Sequence, residues 1–481
     1  MTVPFHLAAG FPAPSESDWL RLAEKALKGA PVGSLDHTTA DGVVLEPLYR
    51  DGDAVALSLP RAQGGPEQLT WDIRVAATHP DPAQANRLLL DDLNGGASSV
   101  LVSIDQGAGE GLAARRAGDL ANALREVDLQ LATVALDAGF LGAQAADWLA
   151  AVADNAPRAR LAFHLDPLTA FAQAGASPGP INAHIEAAAR TAAGYRETYR
   201  EASLFLASGR AVHEAGGSAA QELAFAAAAA VTYAKGLNAA GLSIENAFAR
   251  IVLGVSVDGE YFAGLAKVRA ARLVWDTILS ASGASVPARI EARSSRRMLS
   301  KMDPWVNLLR LTAAGFAAAV GGADAVLLEP FTQPLGLPGE LARRQARNTQ
   351  LILMEEAHVA RVNDPGAGSW FIDAYTHDLA QAAWTLFQRI EAEGGAASAM
   401  ISGRFAGEIA AVRDAQQAKI AAGEVAMVGV NLHPFKGEEA LPVEPAPPRK
   451  GAAPDAALSG PDDHCPALAP IRWSQQFESA Q

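Results

Sequence analysis

The sequence predicts an α/β protein: a (β/α)8 TIM-type barrel with an extended N-terminal arm in front and a Pro/Ala-rich C-terminal tail behind. Three observations predict it. From about residue 69 short β-branched or apolar runs alternate with amphipathic helical stretches. These runs number eight by residue 330, the size of one closed barrel. The whole chain, 481 residues, then accommodates that barrel plus extensions.

Residues 1–68 read as an arm. "PSESDWLRLAEKAL" is a short capped helix, and in "HTTADGVVLEPLYRDGD" the Asp41-Gly42 pair between apolar residues marks a turn or hairpin. The arm has too little apolar surface to fold alone, so it must lie on its own barrel or on a partner. The barrel region, 69–431, supplies strands at 69–77, 98–105, 129–137, 159–166, 202–208, 250–257, 288–294 and 324–330. Each is followed by a helix-forming segment, such as "DPAQANRLLLDDLNGG" after the first and "EYFAGLAKVRAARLVWDTILSASG" after the sixth. After the eighth strand come a helix, a turn at "NDPGAGS" and a second amphipathic helix with Trp384 and Phe387 on one face. From 432 to 481 proline and alanine dominate, which predicts a tail that is extended, disordered or draped over a neighbour, with no second globular domain.

Composition excludes several functions. The net charge is −14 and the cations are scattered among acids, so no basic stripe exists for a phosphate backbone, and nucleic acid is not an expected partner. The one cysteine, Cys465, excludes an intrachain disulfide and a cysteine metal cluster. The N-terminus has no basic n-region, and the most apolar run, "LAFAAAAAVTYA" at 223–234, is too short for a bilayer. A cytoplasmic protein with no membrane partner is expected. His358 and His377 have no second ligand nearby in sequence, "LNGGASSV" at 93–100 lacks the GK[ST] ending of a phosphate loop, and "DDHCPALAP" reads as tail.

The chemistry-bearing stretch is "LASGRAVHEAGG", residues 206–217, at a strand-to-helix turn. Together with "TWDIR", "AKVRAARLVW", "MDPWVNLLR", "ARNTQLILMEEAHVARVNDPGAGSWFIDAYTHDLAQAAW", "GVNLHP" and the arm phrase "TADGVVLEPLYR", it resembles the methylmalonyl-CoA mutase family over roughly residues 11–434. The resemblance implies a barrel that surrounds an acyl-CoA, and radical 1,2-rearrangement driven by adenosylcobalamin. In the family a flavodoxin-like domain holds the cobalamin, and this chain shows no such domain.

Set against that family's pattern, the catalytic positions are changed. The family's SGYHMQEAG frame, anchored here by Ser208-Gly209 and Glu214-Ala215-Gly216, puts Ala211 where the histidine belongs. His213 is two positions late, a shift of about 6–7 Å in an extended segment and too far for the same hydrogen bond. The family's tyrosine falls on Pro66, its carboxylate-binding arginine has no counterpart in "AGASPGPINAHIEAA", and Arg293 and Arg297 stand where a glutamine and a tryptophan face the corrin. His213 and Arg210 remain the catalytic candidates and Glu214 the cofactor-binding candidate, although Glu214 equally suits a cap for the following helix. For Arg210, Arg293, Arg296 and Arg297 internal ion pairs are the competing explanation to a CoA phosphate site. No metal site and no catalytic residue of this chain's own are expected.

The resemblance therefore implies the small, non-catalytic subunit of a heterodimeric mutase, supporting a homologous large subunit that binds adenosylcobalamin and converts (R)-methylmalonyl-CoA to succinyl-CoA. Two alternatives stay open: a barrel subunit of another acyl-CoA mutase completed by a separate cobalamin-binding chain, and a non-enzymatic assembly or binding protein built on the barrel.

Overall fold

In the computed structural model the described residues are 10, 15–50, 52–53, 56–59, 61, 70–105, 111–156, 158–435, 437, 441, 443–445 and 454–478. Eight parallel strands close on themselves: β1 (Asp72–Ala77), β2 (Ser99–Ser103), β3 (Thr133–Asp137), β4 (Leu161–Leu165), β5 (Ser203–Ser208), β6 (Ile251–Val257), β7 (Ile290–Ser294) and β8 (Ala325–Leu327). β8 seals the ring by pairing Val326 with Ile73 of β1 and with Ala292 of β7. All eight expected strands are present. β8 is shorter than the sequence suggests, because the chain leaves the ladder after Leu327 and stays buried through Phe331.

The helices around the barrel are α1 (Glu16–Ala26, in the arm), α2 (Pro82–Asn94), α3 (Ala117–Ala123), α4 (Gly142–Val152), α5 (Pro167–Ala174), α6 (Ile181–Tyr195), α7 (Arg210–Glu214), α8 (Ala219–Ala239), α9 (Ile244–Phe248), α10 (Tyr261–Ser282), α11 (Val306–Gly321), α12 (Glu340–Leu351) and α13 (Trp370–Ala392). Their starts follow from local chemistry. Asp81, Asp166, Ser218 and Ser369 each accept from a backbone N–H of the first turn, and Pro82 and Pro167 occupy the first helical position, where no N–H is needed.

Alternation along each strand divides the side chains between two environments. Ile73, Val100, Val102, Val134, Leu136, Phe163, Ile290 and Val326 point outward into the large core beneath the helices. Leu101, Ala135, Ala162 and Leu327 form a separate cluster inside the ring. Other inward positions carry polar or charged side chains, among them Arg74, Ser99, His164, Glu291 and Arg293.

The arm is pinned to its own barrel at Leu57, Leu59 and Arg61 and again at the Asp41 turn. Arg269 of α10 is fully buried and bonds Asp364 of the NDPGAGS turn and Asp373 of α13, the latter at 2.7 Å. These carboxylates in turn accept from the arm: Leu59 N–H donates to Asp364 at 2.7 Å and Leu57 N–H to Asp373 at 3.3 Å. Arg61 donates to the carbonyls of Ala319 and Ala323. The hairpin pairs His37–Thr38 with Val44–Leu45, and Asp41 at its tip accepts from Ala220 N–H at the start of α8. Upstream of it, α1 buries no side chain.

Residues 454–478 have little regular structure, yet they lie against the barrel. Asp463 C=O accepts from Ser177 N–H, Cys465 N–H donates to Gly175 C=O and Leu468 N–H to Ala172 C=O. Gly175 is required here, since its φ is +75° and a Cβ would come within 2.9 Å of Ala467.

Arg269→Ala strands Asp364 and Asp373 as buried charges without their cation, and a loss of about 3–5 kcal/mol is expected in urea denaturation. A change below about 1 kcal/mol would place the clamp among the dispensable ion pairs.

Candidate functional site

Catalytic chemistry on this fold is built at the C-terminal ends of the strands, so the mouth of the barrel is the place to look. There Ser208-Gly209 turns directly into α7. The turn needs glycine because α8 passes so close that a Cβ on residue 209 would sit 2.2 Å from the Glu222 carbonyl. Residues 210–214 are helical, which corrects the extended geometry expected for them. His213 therefore points sideways into the protein instead of along a strand.

His213 is fully buried. Its Nδ1 lies 3.1 Å from Glu222, which also takes Lys267 Nζ at 2.5 Å and the Ser256 N–H at 2.5 Å. Its Nε2 stands 3.7 Å from Asp258, whose own partner is Arg297 at 3.1 Å. Burial, followed by the cations Arg297 and Lys267, holds His213 below its ordinary value and keeps it neutral. Burial alone would raise Glu222, but Lys267 and His213 outweigh it and hold the carboxyl well below the usual range. The histidine sits beneath a closed surface in an ion-pair network.

Arg210 has its Nε buried without a hydrogen-bond partner among the described residues, and burial next to Arg293 depresses its pKa. Glu214 spends its carboxylate on the N–H groups of Arg296 and Arg297 at 3.1–3.2 Å. It does not cap α8, whose cap is Ser218 with Gln221, so the capping role expected for Glu214 is corrected. Arg297 donates to the carbonyls of His213 and Gly217, both at 2.9 Å. Arg293 pairs with Asp137 at 2.9 Å and with Glu291, and Arg296 pairs with Glu329 at 2.8 Å. Pro66 lies outside the described residues.

The C-terminal segment then covers this mouth. Ile471 N–H donates to the Glu214 carbonyl at 2.8 Å and Trp473 N–H to the Arg297 carbonyl at 2.9 Å. The Trp473 ring lies under the Arg297 guanidinium, 5.4 Å away. Ser474 is fully buried and donates to Leu299 C=O. A corrin needs a broad open face, and Glu214 and Arg297 are here both engaged and covered. The residues do not fit the group.

Below the mouth, the barrel axis is filled. Glu291 of β7 bonds Arg74 of β1 and Arg293 two residues along its own strand. Arg74 also reaches Ser99 of β2 at 2.9 Å, and His164 of β4 stands 3.7 Å from Glu291. Burial would raise Glu291, but Arg293 and Arg74 hold it well below the carboxylate range. Burial pushes His164 down to about 3. TIM barrels normally fill these layers with branched apolar residues. Here a polar network of Arg74, Ser99, Asp137, His164, Glu291 and Arg293 does so, and sequence reading missed Arg74, His164 and Glu291. The only available signal was charge inside runs that are otherwise apolar, as in "TWDIR" and "ARIEARS".

Among the described residues no group of three or more His, Cys, Asp and Glu could hold a metal, and no helix is long and apolar enough to cross a membrane.

Fold and site together define a (β/α)8 barrel of the enzyme type whose mouth and axis are both occupied by its own side chains. Comparison with known proteins gives the family. The methylmalonyl-CoA mutase family model matches residues 61–453. The chain is 38% identical to the methylmalonyl-CoA mutase small subunit of Streptomyces virginiae, over 94% of this chain and 75% of that one. It is 39% identical to a probable small subunit from Mycobacterium bovis, over 90% and 72%. It is 30% identical to the small subunit of Propionibacterium freudenreichii subsp. shermanii, over 93% and 73%. The chain belongs to the methylmalonyl-CoA mutase family, whose reaction is an isomerisation.

The depressed histidines give a pH signature. Below about pH 6.5 the unfolded chain protonates both imidazoles, whereas the folded chain keeps His164 neutral down to about pH 3. The stability linked to the neutral form is thus complete above pH 6.5 and is lost as pH falls. His164→Asn retains a residue tolerant of the local φ of +46°. It should shrink the loss of unfolding free energy between pH 6.5 and 5 by about 2 kcal/mol. An unchanged pH slope would mean that His164 already titrates normally in the folded state.

Proposed function

We propose that this chain is the small subunit of an adenosylcobalamin-dependent methylmalonyl-CoA mutase. It supports a homologous large subunit that holds the acyl-CoA and the cobalamin and converts (R)-methylmalonyl-CoA to succinyl-CoA, and it carries out no chemistry itself. The observation that carries this reading is the ionic filling of the barrel axis. Substrate could enter only by displacing the Glu291 pairs with Arg74 and Arg293, and each separated charge would then be buried without its partner, at a cost of about 3–5 kcal/mol per broken pair. A fold kept without its site is what a supporting subunit requires.

A partner chain is supported by α1. An isolated helix of 11 residues is marginal in water, yet α1 buries nothing on its own barrel and exposes Trp19, Leu20 and Leu22. Its apolar side is free to lie on a second chain while Leu57, Leu59 and Arg61 anchor the arm here. Binding of this kind adds stability to the large subunit by mass action.

Two experiments test this. Mutase activity should be full in a complex of large subunit with His213→Ala and absent from this chain alone supplied with adenosylcobalamin; turnover by the isolated chain, lost in His213→Ala, would contradict the proposal. Trp19→Asp with Leu22→Asp should weaken the complex about tenfold or more, roughly 1.4 kcal/mol, with unchanged melting of the isolated chain. An unaltered affinity would remove α1 from the interface.

A further inference from the structure

One side of the barrel leaves a large apolar face uncovered. Phe262 in the first turn of α10, Leu309 and Phe316 of α11, Trp370 at the start of α13 and Leu48 of the arm are 52%, 70%, 37%, 46% and 37% exposed. These side chains are contiguous. Leu309 and Phe316 are seven residues apart and share one face of their helix. Phe316 stacks on Tyr261 at 5.1 Å, Tyr261 meets Phe262 at 5.1 Å, and Phe262 meets Phe371 at 5.2 Å. Phe371 in turn meets Tyr49 of the arm at 5.3 Å. Leu48, Phe262 and Trp370 line one groove of about 500 Å³ between the arm and the starts of α10 and α13.

Two features identify what covers this face. The first is where α1 begins: Glu16, its first residue, pairs with Arg50 at 2.6 Å, two positions after Leu48. Trp19, Leu20 and Leu22 are exposed within six residues of Glu16, about 9 Å along the helix. A chain lying on them therefore reaches the groove as well. The second is area. The five side chains of the face present roughly 400–500 Å² and the three of α1 about half as much. A stable complex buries roughly 800 Å² a side, which neither surface supplies alone and the two together approach. We propose that the large subunit covers this face and α1 in one continuous interface, with an apolar side chain of its own seated in the groove. Glu46 of the groove and Glu260 just ahead of α10 are exposed and in no ion pair among the described residues, so the partner presents lysine or arginine at the rim.

This interface rests on the subunit role proposed above, and the experiment separates the two. Calorimetric titration measures the affinity of the large subunit for the unaltered full chain, for Phe262→Asp with Leu309→Asp, and for Leu131→Asp. Leu131 is 72% exposed and precedes β3, across the ring from β7. The paired substitution should weaken the complex at least about tenfold with unchanged melting of the isolated chain. Leu309→Asp alone, which touches no ring contact, should weaken it about threefold or more, and Leu131→Asp should leave affinity as it was. A complex weakened by Trp19→Asp with Leu22→Asp but not by Phe262→Asp with Leu309→Asp would overturn the face and leave the subunit role standing. Equal weakening by Leu131→Asp, or a dimer of the isolated chain that the paired substitution dissociates, would also overturn it. No binding of the unaltered chain to the large subunit would overturn both.

Discussion

The Glu291 carboxylate at the barrel axis is the constraint on which the rest depends. It is fully buried and bonded by guanidinium groups from β1 and from its own strand, with His164 of β4 at its side. A charge in that position is tolerable only while both partners remain, and the partners stay because β1, β4 and β7 are locked into one closed ring. The same group that knits the strands together thus fills the passage a long substrate would need. Structural support and loss of passage are two results of one set of ion pairs.

Above the axis the same logic recurs in a second network. Glu222 with Lys267 and Asp258 with Arg297 neutralise one another around the neutral His213 under α7, and residues 468–474 lie across them. The N-terminal side is different in kind. Leu57 and Leu59 are fastened by the Arg269 clamp and Arg61 by carbonyls of the barrel, whereas α1 leaves its apolar residues exposed. One end of the chain closes the barrel and the other leaves Trp19, Leu20 and Leu22 exposed.

Much of the fold was legible because strands buried on both faces read as continuous apolar runs separated by helical periods. The family motifs were legible too, and the structure supplies their physics. Trp71 of "TWDIR" donates to Gln350 of "RNTQ" at 3.1 Å. Arg269 of "AKVRAARLVW" binds Asp364 of the NDPGAGS turn and Asp373 of the helix after it. These are scaffold contacts, which explains why they persist where the catalytic pattern does not. Arg293 and Arg297 were visible as misplaced cations, but the pairing of Glu291 with Arg74 joins residues 217 positions apart, and nothing local in a sequence announces such a contact. The path of residues 454–478 was equally hidden, since a segment without hydrophobic period carries no signal of the surface it follows.

The central claim is that this barrel cannot admit an acyl-CoA, and equilibrium binding of methylmalonyl-CoA to the isolated chain tests it most directly. The closed axis predicts no saturable binding by calorimetry up to millimolar concentrations. A one-to-one complex at micromolar affinity, weakened by substitutions at Arg74 or Arg293, would show that the ion pairs open to receive substrate and would contradict the account.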